Sequence, residues 1–182
     1  MKQRLLFLGP PGAGKGTQAQ RLAAAHDLLH LSTGDLLRAE VQARTPLGQE
    51  AEAVMARGEL VSDQLVLAIV RSRLEAHNRG WLLDGFPRNL PQAEALDALL
   101  TELRQGIELV VLMELDDAVL IARLLGRGRA DDNEEVIRHR LAVYREQTAP
   151  LIQHYRERGQ LVAVEASGTV EEIGSRIEAL LS

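Results

Sequence analysis

Short apolar runs alternate along the chain with segments whose apolar residues recur at helical spacing. Residues 3–9 form the first run, broken by Gly9-Pro10-Pro11-Gly12, and residues 17–26 follow as a helix with Ala19, Leu22 and Ala23 on one face. Residues 28–31 read as a second buried strand. Three short helices come next, with starts at Ser32 ahead of Gly34-Asp35, at Thr45 ahead of Pro46 and at Ser62 ahead of Asp63. The strand pattern resumes at 81–84 and again at 107–115, a nearly all-apolar run of the kind covered on both faces. Between them, 91–103 has helical intervals. Asp116 starts a helix carrying Leu120, Ile121, Leu124 and Leu125, which ends at Gly126-Arg127-Gly128. A charged helix is predicted from about Asp132 towards Tyr155, with Pro150 marking a bend or a new start. Residues 161–165 make a last strand, and Thr169 caps a final helix with Glu171 and Glu172 in its first turn.

Strands alternating with helices predict right-handed βαβ units, hence an α/β fold with a five-stranded parallel sheet and helices on both faces. In such sheets ligands bind beyond the carboxyl ends of the strands. The 182 residues, 46% of them hydrophobic, are enough for one domain with small inserted lobes. There is no cysteine, which excludes disulfides, thiolate metal sites and a cysteine nucleophile. The basic start and the apolar residues 5–8 stop short of a secretory core of roughly 7–15 residues. No stretch approaches the roughly 20 apolar residues of a membrane span, so a cytoplasmic protein without a membrane partner is expected. A net charge of -5 and 3% aromatic residues argue against nucleic acid as a partner, which calls for a basic field and stacking platforms.

The break after the first strand fits G-x-x-x-x-G-K, placed between a strand and a helix as that motif requires. Backbone N–H groups over Gly12, Ala13, Gly14, Gly16 and Thr17 turn around phosphate oxygens, the helix N-terminus adds its positive end, and Lys15 supplies a compact charge. Of the 21 Lys and Arg, only Lys2 and Lys15 are lysine. Gly16 stands where the general motif has a Ser or Thr on magnesium, so a metal carried with the nucleotide needs other ligands. Asp84, acting through water, and Asp35 are the candidates for Mg2+; a helix cap or turn is the alternative role of each.

Residues 9–17 read GPPGAGKGT, 31–38 read LSTGDLLR, 82–88 read LLDGFPR and 128–135 read GRADDNEE. In this order they resemble the nucleoside monophosphate kinases, the adenylate kinases in particular, over essentially the whole chain. The resemblance implies a P-loop NTPase-type core (1–31, 62–126 and 133–182), an AMP-binding helical lobe at 32–61 and a short lid at 127–132. It implies transfer of the terminal phosphoryl group of Mg-ATP to AMP to give two ADP, by a monomer. Relatives with a long lid hold a cysteine-bound zinc, which this chain cannot.

By matching positions, Arg38 and Arg88 resemble the grip on AMP phosphate, and Arg127, Arg129 and Arg140 the lid and hinge arginines over the transferring group. Thr33, Val61, Gly85 and Gln92 fall at AMP-binding positions, with the Gln92 amide able to pair with the adenine edge. Arg123 lies against the ATP adenine or is a solvated surface residue. Arginine suits this clamping because its fork stays charged and grips phosphate twice. Asp131 and Asp132 are read as partners that orient lid arginines; capping of the next helix, with Glu135 three residues after Asp132, is the alternative, and both can hold. No general base is needed, since the acceptor is an ionised phosphate oxygen. His26 and His30 are four apart but lack a third metal ligand.

Two rival functions remain at this point. A UMP/CMP kinase shares the fold and the phosphate loop; Thr33 and Gln92 favour AMP, whereas Asn89 is the one feature of the pyrimidine enzymes, unless it caps the helix through Pro91. A catalytically silent nucleotide sensor is the other. A GTPase switch is excluded, because an Asn-Lys-x-Asp guanine reader needs a lysine that this chain does not have.

Overall fold

Five strands, β1 (Arg4–Leu8), β2 (Leu29–Ser32), β3 (Trp81–Asp84), β4 (Leu109–Glu114) and β5 (Leu161–Glu165), build an all-parallel sheet in the order β2-β3-β1-β4-β5. This computed structural model describes residues 1–57, 61–77, 79–126 and 133–182. The connecting helices are α1 (Lys15–His26), α2 (Thr33–Ala43), α3 (Pro46–Ala56), α4 (Asp63–Ala76), α5 (Leu90–Glu102), α6 (Asp117–Gly126), α7 (Glu134–Glu157) and α8 (Val170–Glu178).

The period-two alternation of each strand decides which core it serves. Leu5 and Phe7 join Leu109, Val111 and Met113 in a core closed by α1, α6, α8 and the start of α7. Leu6 and Leu8 join Leu83, Val110 and Leu112 in the opposite core, closed by α2, α4, α5 and the end of α7. Fully burying such a side chain is worth roughly 1.5–3 kcal/mol. The strands buried on both faces, β1, β3 and β4, therefore occupy the interior of the sheet.

From β1 the chain passes to β2 at the edge, returns to β3 beside β1, then crosses to β4 on the other side. The direction of winding reverses around β1. The crevice beyond its carboxyl end is therefore the expected ligand site.

The capping residues Thr45, Ser62, Asn89 and Thr169 accept backbone N–H groups from Gly48, Leu65, Gln92 and Glu172. Ser32 precedes α2 in an extended conformation, but its hydroxyl makes no cap bond. The predicted start of α7 shifts: Asn133, not Asp132, is its cap, accepting from the Val136 N–H at 2.9 Å. Pro150 neither bends the chain into a new element nor ends the helix. Its missing donor affects the carbonyl of Glu146, an exposed residue that water can serve, and buried Leu151 and Tyr155 anchor the turns that follow. The predicted lid, 127–132, and with it Arg127, Arg129, Asp131 and Asp132, lies outside the described residues.

Candidate active site

Beyond Leu8 the chain closes a tight loop in which the Ala13 N–H donates to the Pro10 carbonyl at 3.3 Å. Gly14 caps α1 with no side-chain bond, and no acidic residue stands in the first turn. The leading N–H groups of α1 are thus left for an anion. Nothing lies within 4 Å of where a side chain on Gly14 or Gly16 would project, so a phosphate can reach the backbone there.

Lys15, the first residue of α1, carries its Nζ to 2.5 Å from Asp84 Oδ1 at the end of β3. His30 Nε2 stands 3.5 Å from the other carboxylate oxygen, a contact of ionic range without hydrogen-bond alignment. Burial pushes the Asp84 carboxyl up, but His30 and Lys15 together outweigh it and hold it below the ordinary carboxylate value. Asp84 is consequently an anion at neutral pH. It offers one hard oxygen donor group beside the phosphate loop, which suits a Mg2+ that keeps its waters and phosphate oxygens. Asp35 sits instead on the exposed face of α2, where Arg38 engages it. Among the described residues no cluster of three His, Asp or Glu could hold a metal by itself, and His26 pairs with Glu178 at 2.7 Å.

A cavity of about 390 Å³ opens in front of this loop, and Lys15, Arg88 and Arg140 reach it from three different elements. A stripe of α7 forms its far wall: Arg140, Tyr144, Gln147, Thr148 and Leu151, spaced as one helical face. A larger hollow of about 880 Å³ lies between α7 and the ends of β4 and β5. Its lining carries Glu114, Asp116, Asp117 and Glu165 against Arg145 alone, so it repels a polyphosphate that the smaller cavity attracts. Burial pushes the Tyr144 phenol, between the two, up to about 12, so it stays protonated.

The side predicted to take the acceptor is built of side chains already engaged with their neighbours. Arg88 Nε donates to the Gly85 carbonyl at 3.1 Å. Gln92 accepts the Arg88 N–H at 2.7 Å and donates to Asp63 Oδ1 at 2.8 Å, leaving one amide hydrogen and one lone pair for a ligand. Asn89 caps α5 by accepting the Gln92 N–H at 3.0 Å, which accounts for its presence without a pyrimidine. Gly85 has φ +92, and a side chain there would come within 3.0 Å of the Thr33 hydroxyl at the start of α2. Only glycine meets both demands. Val61, half-buried, packs against the α2 and α4 core beside these residues.

Arg123 is neither free nor lying open for a base. Its guanidinium donates to the Gly12 carbonyl at 3.2 Å and the Ala166 carbonyl at 3.3 Å, tying the phosphate loop to the β5–α8 connection.

A sequence model of the family described as Adenylate kinase matches residues 7–160. The chain belongs to the adenylate kinase family. It is similar to the adenylate kinases of Synechococcus sp. (strain RCC307), at 74% identity over the whole of both chains, and of Prochlorococcus marinus (strain MIT 9313), at 72% over 98% of each. Another, from Synechococcus sp. (strain WH7803), is 72% identical over the full length of both. Three of the four adenylate kinase motifs lie on the described crevice: 9–17 between β1 and α1, 31–38 from β2 into α2, and 82–88 through β3. Residues that sequence reasoning did not single out are Tyr144, Gln147 and Thr148, and Asp63 on the Gln92 amide. Counting helical intervals from Arg140 identifies the first three. Nothing local announces Asp63, because its partner lies on another helix.

Proposed function

We infer that the chain transfers the terminal phosphoryl group of ATP, carried with Mg2+, to AMP, giving two ADP. Membership of the adenylate kinase family supports the reaction. The observation that supports its location is the convergence of Lys15, Arg88 and Arg140 on one cavity in front of unpaired helix N–H groups.

In this reading the donor phosphates lie on the backbone of Gly12, Ala13, Gly14, Gly16 and Thr17, with Lys15 exchanging part of its contact with Asp84 for phosphate oxygen. Thr33, Arg38, Val61, Gly85, Arg88 and Gln92 take AMP. Arg140, with Arg127 and Arg129 of the lid at 127–132, neutralises charge that builds on the transferring group. An AMP phosphate oxygen bonds to the γ-phosphorus as the bond to the β-bridging oxygen breaks; the leaving ADP carries the charge away and no proton moves. Asp84 would hold Mg2+ through water, and the metal when bound supplies further neutralisation of the phosphates. Positioning and electrostatics supply the rate. Arg123 acts in this scheme by bracing the phosphate loop.

No helix among the described residues is long and apolar enough to cross a membrane. The family resemblance favours a cytoplasmic monomer, which sedimentation of the purified chain tests. The decisive assay supplies Mg-ATP with AMP, UMP, CMP or GMP in turn and resolves the products. ADP formed rapidly with AMP alone supports the assignment of Thr33 and Gln92. Preference for a pyrimidine overturns the acceptor, and no transfer at all leaves a silent sensor.

A further inference from the structure

Helix α2 begins at Thr33, carries Arg38 and is tied down by a buried acid. Glu40 is only 4% exposed, and a carboxylate in such a place needs partners. They come from two other elements. Arg73 Nη2 on α4 lies 3.1 Å from Glu40 Oε1, and the Thr45 hydroxyl donates to Oε2 at 2.5 Å. Thr45 also caps α3, accepting the Gly48 N–H at 3.0 Å. A Cβ on Gly48 would fall 1.9 Å from the Glu40 carbonyl oxygen, so α3 folds back on α2 only with glycine there. One carboxylate thus fixes the relation of α2, α3 and α4.

The Arg73 end of this joint is half filled. Nη2 and Nε are the two prongs of one side of a guanidinium, able to grip a carboxylate together. Here Nε is buried with no partner while Nη2 alone holds Glu40. A buried donor left unmade is unfavourable, so an arrangement of α2 that places the carboxylate across both prongs gains a hydrogen bond.

We propose that Glu40 and Arg73 are a positioning pair for AMP: they set α2 against α4, and the second prong closes when AMP draws α2 onto the core. The inference rests on the reading of α2 as part of the AMP site. Arg73→Lys keeps one charged donor and removes the fork. It should raise the KM for AMP by about tenfold, the scale of one lost charge-assisted hydrogen bond, while the KM for ATP and the Tm stay near those of the parent. Glu40→Gln should raise the AMP KM likewise, with a lower Tm because the Arg73 charge loses its carboxylate, and the double variant should add little to the rise in KM. If Glu40→Gln does not fold, Arg73→Lys carries the test alone. Equal rises in both KM values would overturn the proposal. So would an unchanged AMP KM in Arg73→Lys beside a raised one in Arg38→Ala, a result that leaves the α2 reading intact. An AMP KM unmoved even in Arg38→Ala removes the α2 reading and the pair with it.

Discussion

The halves of the crevice proposed for donor and acceptor are made of different material. On the proposed ATP side it is mostly backbone, a loop between β1 and α1 whose ends are fixed by two hydrophobic cores and braced by Arg123. On the proposed AMP side it is side chains already held by neighbours: Arg38 by Asp35, Arg88 by the Gly85 carbonyl, Gln92 by Asp63. Arg38 and Asp35 are 70% and 61% exposed, whereas Lys15 and Asp84 are 23% and 10% exposed. The donor half is therefore preorganised by the fold. Apart from Lys15, it is the proposed acceptor half that must exchange internal partners for ligand, which makes it the half that binding rearranges most.

The largest effect should come from breaking the preorganised half. Lys15→Met removes the one mobile charge of the loop, and turnover with ATP and AMP should fall by about 10²-fold or more. Steady-state rates near the parent's would mean that the loop backbone alone does the work. Arg38→Ala acts on the other half, losing a charge-assisted contact of about 1.5–3 kcal/mol. The AMP KM should rise by at least about tenfold with the ATP KM unmoved, and a rise in the ATP KM instead would erase the distinction between the halves.

How far each half was legible in the sequence follows the same division. The phosphate loop is a local pattern, so its strand, turn and helix could be read from residues in a row. The caps at Thr45, Ser62, Asn89 and Thr169 were legible for the same reason: each acts on an N–H three residues on. Contacts between distant segments were not. Nothing near Arg123 says that it will find the carbonyls of Gly12 and Ala166, and Gln92 gives no sign that Asp63 will take its amide. Pro150 misleads for the opposite reason. Its local rule is right, but exposure of Glu146 lets water answer the lost bond, and burial of Leu151 and Tyr155 outweighs the remainder.

Acid should expose the Lys15–Asp84 pair as part of the preset half. A carboxyl held below its unfolded value stabilises the fold fully above about 3.9, and that contribution is lost as pH falls through the folded-state value. Asp84→Asn lacks it at every pH. The stability gap between parent and variant, from urea unfolding, should be level at neutral pH and shrink as pH drops below about 3.9. A gap that persists unchanged into strong acid would show that Asp84 does not feel its neighbours.

The smallest effect concerns Asn89, and it tests whether the acceptor half reads the base or merely holds its own shape. The Asn89 side chain accepts the Gln92 N–H and so sets the first turn of α5, on which the Gln92 amide stands. Asn89→Ala should cost about 1 kcal/mol of stability, the ordinary worth of an N-cap, and lower the Tm accordingly. Asn89→Ser or Asn89→Asp should restore most of it, since either side chain can accept the same bond. If Asn89 is only a cap, relative rates with AMP, UMP and CMP stay as they were in all three variants. Gln92→Leu, by contrast, should reduce the preference for AMP, because the adenine edge then faces no amide. A change of acceptor preference in Asn89→Ser, with the cap intact, would mean that Asn89 itself touches the base and that the two halves are less separate than their partners imply.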